Sequence, residues 1–303
     1  MSGSRFALEA RRWWAVLPYI IWGIVGTAVF VVYPMVKGIW MSFLDYKIMP
    51  GAESPFVGLD NYLKAFHSEF FWYAVRNTFL NTLVTVPLIM AVGLFLAVLV
   101  NLKFVKGKVA WRMIYYFPVI TSWIVISYLF KYLFAGGEYG FINYIFYTKL
   151  HWLPEPVNWL QNEWTGLVII WTLHVFKTFG WAFVIYIAAL QGVPQILYEA
   201  AAIDGANGWR LFRHITLPLL KPVQIYVFIN AVIGAFNIFP HVYFITGGGP
   251  LGRTQVLPVL IYKEAFDKFE FGYSAALAVM MGLTIFAVTY YQQRKIGKFS
   301  LEY

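Results

Sequence analysis

No cysteine occurs in the 303 residues of this chain. Disulfides, thiolate nucleophiles and cysteine-ligated metals are thereby excluded. Charge is scarce as well. Only 12% of the chain is Asp, Glu, Lys or Arg, where a soluble domain carries about 25%. The signatures of catalysis are missing too. No HExxH, CxxC or GxSxG pattern occurs. Gly107-Lys108 and Gly297-Lys298 lack both the spaced first glycine and the following Ser/Thr of a P-loop. No catalytic residue, metal site or nucleotide site is expected on this chain.

In their place is apolar surface. The composition is 60% apolar and 20% aromatic, which suits a chain dissolved by lipid. Six stretches, at 13–35, 79–101, 111–134, 165–190, 222–246 and 273–292, are apolar enough to cross a hydrocarbon core of about 30 Å, a task for about 20 helical residues each. The first is too long, and too poor in small residues at its end, for a cleaved signal peptide, and reads as a retained helix. There is no solenoid repeat and no low-complexity region, so residues 1–303 read as one membrane domain.

The net charge of +9 looks at first like a footprint for nucleic acid. Its distribution gives a different answer. With the N-terminus inside, the inner segments hold thirteen bases: Arg5, Arg11, Arg12, Lys103, Lys106, Lys108, Arg112, Arg210, Arg213, Lys221, Arg294, Lys295 and Lys298. They hold only four acids, Glu9, Glu199, Asp204 and Glu302. The outer segments hold eight bases and ten acids. This is the positive-inside bias. It predicts both termini in the cytoplasm and explains the basicity without a nucleic-acid partner.

Between the fourth and fifth spans lies a polar insert at 194–218. Pro194 can open a helix, because its missing N–H costs nothing in the first turn. Good helix formers follow, including Ala200, Ala201 and Ala202. Gly205 supplies the left-handed position that ends a helix. Asn207 is a fair N-cap for a second helix from Gly208. Trp209, Leu211, Phe212, Ile215 and Leu219 fall on one side of that helix, and Arg210, Arg213 and His214 on the other. The insert therefore reads as two short helices at an angle, the second amphipathic. On these features alone an interfacial connector between two spans is the favoured reading, since most amphipathic inserts are only that.

The insert resembles, nearly residue for residue, the EAA loop of ABC-importer permeases. The resemblance rests on Glu199-Ala200-Ala201, Asp204-Gly205-Ala206, Phe212 and Leu217-Pro218. It extends over roughly 15–292. Phe56-Val57-Gly58-Leu59-Asp60-Asn61-Tyr62 is similar to an outer-loop motif of the sugar-type permeases, the family of the maltose importer. Asn77-Thr78, Phe117-Pro118, Gly140-Phe141-Ile142-Asn143 and Thr246-Gly247-Gly248-Gly249-Pro250 fit the same pattern. The extra N-terminal helices and large outer domain of the maltose permease are absent, so the chain resembles the shorter six-span members.

The resemblance implies an all-α polytopic membrane protein of the type I ABC-importer permease fold. It implies a coupling loop in which Glu199 contacts an ATPase and Gly205 makes the bend, with Ala200, Ala201, Asp204, Ala206, Phe212 and Pro218 completing the motif. The implied partners are a second permease subunit, two cytoplasmic ATPase subunits that bind ATP and magnesium, and an extracytoplasmic solute-binding protein. The implied location is the prokaryotic inner membrane. The implied cargo is a di- or oligosaccharide, with glycerol-3-phosphate or a polyol as the alternative. An ATP-independent carrier or membrane scaffold is the rival from another class.

Polar groups inside spans are costly and therefore face inward or toward water. In the fifth span Tyr226, Asn230, Gly234, Asn237 and His241 recur at helical spacing on one face. In the fourth, His174, Lys177, Thr178 and Trp181 share another. These are candidates for a substrate path, since amides and imidazoles suit sugar hydroxyls and aromatic faces suit sugar C–H surfaces. The alternative is that they bond to neighbouring helices. For Lys177 the expectation is a structural partner, in another subunit or at a backbone carbonyl. Pro240 should break the fifth helix and free a carbonyl. Ser274, Ala278 and Gly282 read as a ridge for close helix packing.

Overall fold

The computed structural model describes residues 16, 18–49, 51–102 and 104–296. The basic leader at 1–12, the start of the first span, and Lys103, Lys298 and Glu302 lie outside them. Among the described residues the protein is helical, with one isolated antiparallel bridge between Leu44 and Phe56. They fall into two compact units. One comprises the residues up to His67 with Lys263–Met280, the other Ser68–Tyr262 with those from Met281 on.

In the first unit, α1 (Pro18–Met41) is a long apolar helix whose most apolar stretch has no buried residue. Its outward surface carries Tyr19, Trp22 and Phe30, as suits a helix bathed in hydrocarbon. Beyond it, α2 (Asp60–His67) explains the Phe56–Tyr62 motif. Asn61 Nδ2 donates to the carbonyls of Ser42 at 2.9 Å and Leu44 at 3.0 Å. The Tyr62 hydroxyl meets Ser42 Oγ at 2.7 Å. Gly58, at φ +59°, makes the turn into α2 in a conformation that favours glycine. Lys64 pairs with Glu270 and lies 4.6 Å from the Tyr273 ring centre.

The second unit is built on two unbroken helices, α3 (Glu69–Asn101) and α6 (Glu163–Gln191). Ile89, Ala97 and Val100 of α3 pack with Phe183, Tyr186, Ile187 and Leu190 of α6 in one buried cluster. Gly93 permits the close approach, since a Cβ there would sit 2.9 Å from the Ala182 Cβ. At about 1.5 Å per residue, the 33 residues of α3 exceed the hydrocarbon thickness. Its outer turns, from Glu69 to Thr78, precede the stretch expected to span at 79–101.

The third predicted span is two helices, α4 (Lys108–Ile120) and α5 (Trp123–Leu133), bent by 90° at Thr121-Ser122. Gly180 of α6 lets α4 approach, because a Cβ there would collide with the Tyr115 carbonyl oxygen. The insert supplies α7 (Gln195–Ile203) and α8 (Gly208–Leu211), and α8 continues through a wider turn at Phe212–Thr216 into Leu217–Leu219. The fifth span is also broken, as Pro240 predicts, into α9 (Lys221–Phe236) and α10 (Pro240–Ile245). The loop after it contains an unforeseen helix, α11 (Leu257–Tyr262), with Leu257, Val259 and Leu260 buried. The last span is α12 (Phe271–Ile296), which runs through both units. Its small-residue ridge does not pack as one. Ser274 is buried, but Ala278 and Gly282 are exposed, and a Cβ on Gly282 would meet nothing within 4 Å. A helical ridge becomes a contact only where a neighbour lies along it, and within the described chain no atom lies near the Gly282 end.

The remaining sequence motifs fasten loops. Asn77 Nδ2 donates to the carbonyls of Arg253 at 2.6 Å and Gln255 at 2.8 Å. Thr78 Oγ1 accepts from the Leu257 amide at 3.1 Å. Asn77-Thr78 on α3 thus anchors the stretch that follows Thr246–Pro250. Arg76 and Arg253 both pair with Glu163. Asn143 ties its own loop through Gly137 O, Val157 O and the Trp159 indole, at 2.8–2.9 Å.

Candidate functional site

Two regions hold the candidate residues, and both lie in the second unit. The insert has the predicted local geometry. Gly205 takes φ +79° and ends α7. The Asn207 side chain accepts from the Arg210 amide at 2.9 Å and caps α8. Glu199, Ala200, Asp204 and Pro218 are exposed, while Ala201, Ala206 and Phe212 are half-buried. Neither Glu199 nor Asp204 has an ion-pair partner among the described residues. Ile203 and Trp209 stand out from the surface at 87% and 65% exposure. The apolar face of α8 differs from the expected one. Leu211, Phe212 and Ile215 turn inward with Thr216 and Leu220, whereas Trp209 and Leu219 are exposed. The wider turn at Phe212–Thr216 shifts the face after Leu211. One contact was not foreseen: the Tyr198 hydroxyl lies 3.0 Å from Thr216 Oγ1 and joins the two limbs.

The path candidates divide in two. Tyr226, Gly234 and Asn237 are exposed along α9, with Asn230 half-buried between them. Trp181 of α6 joins this set, its ring 6.5 Å from that of Tyr226. The amides of Asn230 and Asn237 each donate at 2.8 Å to a carbonyl one turn back, on Tyr226 and Ile233. Their side chains reach no other helix through those bonds.

His241 does not share this face. The break before Pro240 turns it inward to 3% exposure, stacked 4.5 Å from the Trp123 ring and 4.9 Å from that of His174. Neither of its ring nitrogens has a hydrogen-bond partner among the described residues. His174 Nδ1 lies 3.3 Å from Asn81 Oδ1. Lys177 is likewise buried at 3% exposure. Its ammonium donates to the Val119 carbonyl at 2.7 Å and lies 4.8 Å from the Trp123 ring centre. The backbone carbonyl is one of the two kinds of partner expected for it. Sequence periodicity did not single out Asn81, Trp123 or Tyr198. Their signals were a polar residue within the second span, an aromatic beside a Thr-Ser pair, and a tyrosine inside the insert.

Among the described residues no group of three His, Asp or Glu is arranged to hold a metal ion. The arrangement offers an exposed helix–turn–helix with an unpaired carboxylate at one place. At another it offers an exposed face of amides and aromatics along a span.

Comparison with known proteins places this architecture. The chain is 35% identical over 288 residues to the arabinooligosaccharides transport system permease protein AraP of Halalkalibacterium halodurans, covering 94% of this chain and 89% of that protein. It is 34% identical over 272 residues to the trehalose/maltose transport system permease protein MalF of Thermococcus litoralis, with 89% of each covered. The fold matches a chain of a bacterial ABC transporter that imports the acidic polysaccharide alginate, at TM-score 0.84 and 20% identity, over 97% of this chain and 99% of that one. Residues 63–296, more than half of the chain, match one family of membrane transport components. This chain is a member of that family, the binding-protein-dependent transport system inner membrane component.

Proposed function

We propose that the chain is one of two permease subunits of an ATP-driven importer whose cargo is an oligosaccharide. The exposed insert carries this reading. An ATP-driven permease without a nucleotide motif of its own needs a place to receive work from another chain. An unpaired Glu199, the bend at Gly205 and the apolar Ile203 and Trp209 offer one to an ATPase subunit. The positive-inside bias supports both termini in the cytoplasm, an orientation with this insert on the side where ATP is available. The oligosaccharide cargo is supported by the names of the relatives, which transport arabinooligosaccharides in one case and trehalose or maltose in another. The face of Tyr226, Asn230, Gly234, Asn237 and Trp181 suits that cargo, with amide oxygens for hydroxyls and rings for C–H surfaces.

The test is uptake of labelled oligosaccharides by cells carrying Glu199→Lys or Gly205→Pro. Proline cannot adopt φ +79°, so the second variant removes the bend. Uptake is expected to vanish with membrane insertion intact. Normal uptake by the double variant would sink the assignment of the insert. Specific ATP crosslinking to the purified chain alone would contradict the placement of ATP on a partner.

A further inference from the structure

Two spans of the second unit are broken, and each break leaves carbonyls that the helix itself cannot satisfy. The last four carbonyls of a helix have no intrahelical donor. Inside a membrane each one needs a partner from the protein. Val119 is the second-last residue of α4, and Ala235 the second-last of α9. Both carbonyls are served by side chains from the unbroken helices. Lys177 of α6 donates to Val119 O at 2.7 Å. Asn81 of α3 donates to Ala235 O at 2.9 Å.

The two clasps are not separate. Lys177 lies against the Trp123 ring, Trp123 stacks on His241, His241 meets His174, and His174 meets Asn81. This buried chain of contacts leads from one break to the other. The helices beyond the breaks, α5 and α10, also pack together. The Tyr128 and Phe244 rings are 5.8 Å apart, and Ile126, Phe130 and Ile245 share a buried cluster. A charged lysine at this depth is expensive. A carbonyl acceptor and an aromatic face recover part of that cost.

We infer that Lys177 and Asn81 are positioning residues that hold the two helix breaks as one coupled hinge, so that α5 and α10 keep a common orientation and releasing either clasp frees both. Removing the Asn81 donor should therefore alter the angle at Thr121-Ser122, although Asn81 touches neither α4 nor α5 through its hydrogen bonds.

The absence of cysteine makes this directly measurable, since any introduced cysteine is the only one in the chain. Nitroxides on Met113→Cys and Tyr132→Cys flank the α4–α5 break at exposed positions. The distance between them is measured by pulsed electron resonance in the full chain, purified with the subunits that accompany it in the membrane. Disulfide formation between Tyr128→Cys and Phe244→Cys reports separately on the α5–α10 pair. Lys177→Met and Asn81→Leu should each shift and broaden the Met113–Tyr132 distance, with the α5–α10 crosslink retained. Lys177→Arg, which keeps a charged donor, should leave the distance native. If Lys177→Met does not assemble, Asn81→Leu carries the test alone. A native distance in an assembled Asn81→Leu complex overturns the inference, because the two breaks would then be independent.

Discussion

The hydroxyls of Tyr198 and Thr216 lie 3.0 Å apart and fasten α7 to the turn that follows α8. Without this bond the two limbs of the insert would be joined mainly through the backbone at Asp204–Asn207. The insert can pass a push into the fifth span only if its limbs move together. Tyr198→Phe removes one hydrogen bond, worth about 0.5–1.5 kcal/mol. We expect faster amide exchange over residues 205–211 with the membrane level unchanged. Unchanged exchange would mean that the bond contributes nothing to the rigidity of the insert.

Gly93 and Gly180 set the spacing of α3, α4 and α6. Alanine at Gly180 would meet the Tyr115 carbonyl oxygen, and alanine at Gly93 the Ala182 Cβ and the Phe183 backbone. Each overpacking is expected to cost about 1–3 kcal/mol. Gly282→Ala meets nothing within 4 Å and removes a helix-interior glycine, a gain of about 0.5–1 kcal/mol. Thermal unfolding of the purified chain in detergent should order the variants with Gly282→Ala highest. Equal melting of all three would contradict the close approach.

Asn77→Leu removes the donor to two carbonyls at a position with no exposure. The Arg253 carbonyl keeps a long contact from Arg76 Nη2 at 3.4 Å, but the buried Gln255 carbonyl loses its donor, which costs about 1–3 kcal/mol. The expected result is loss of protection over residues 246–257, read by hydrogen exchange, with α3 and α6 still protected. Protection retained at 246–257 would show that the loop is held by something else.

Asn237→Leu is expected to lower uptake several-fold while leaving assembly intact, and Asn230→Leu to do so less strongly. Each amide bonds to its own helix, and Asn237 is the more exposed of the two. Uptake and the amount of assembled complex are compared in the same membranes. If uptake falls only in proportion to assembly, these asparagines hold the bundle and do not line the path.

The features of this protein legible in the order of its residues are those that depend on neighbours within one or two turns. Span positions follow from runs of apolar residues: the fourth and sixth appear as unbroken helices within a few residues of their expected ends, the second adds outer turns before its expected start, and the first runs on to Met41. The bend at Gly205, the cap at Asn207 and the break at Pro240 were legible because each depends on one residue's own torsions or hydrogen-bonding groups. The tertiary structure decided whatever depends on which helix lies beside which. It alone placed the 90° bend at Thr121-Ser122, where no single residue fixes the angle. It turned His241 away from the asparagine face, since a helix break resets the phase on which a periodicity argument relies. It gave Lys177 the Val119 carbonyl, a donor–acceptor pair 58 residues apart. It also made Asn77, which reads in sequence as a polar residue near a span, the anchor of a loop 176 residues away. Such pairings are set by packing across the bundle, which local propensity and spacing do not encode.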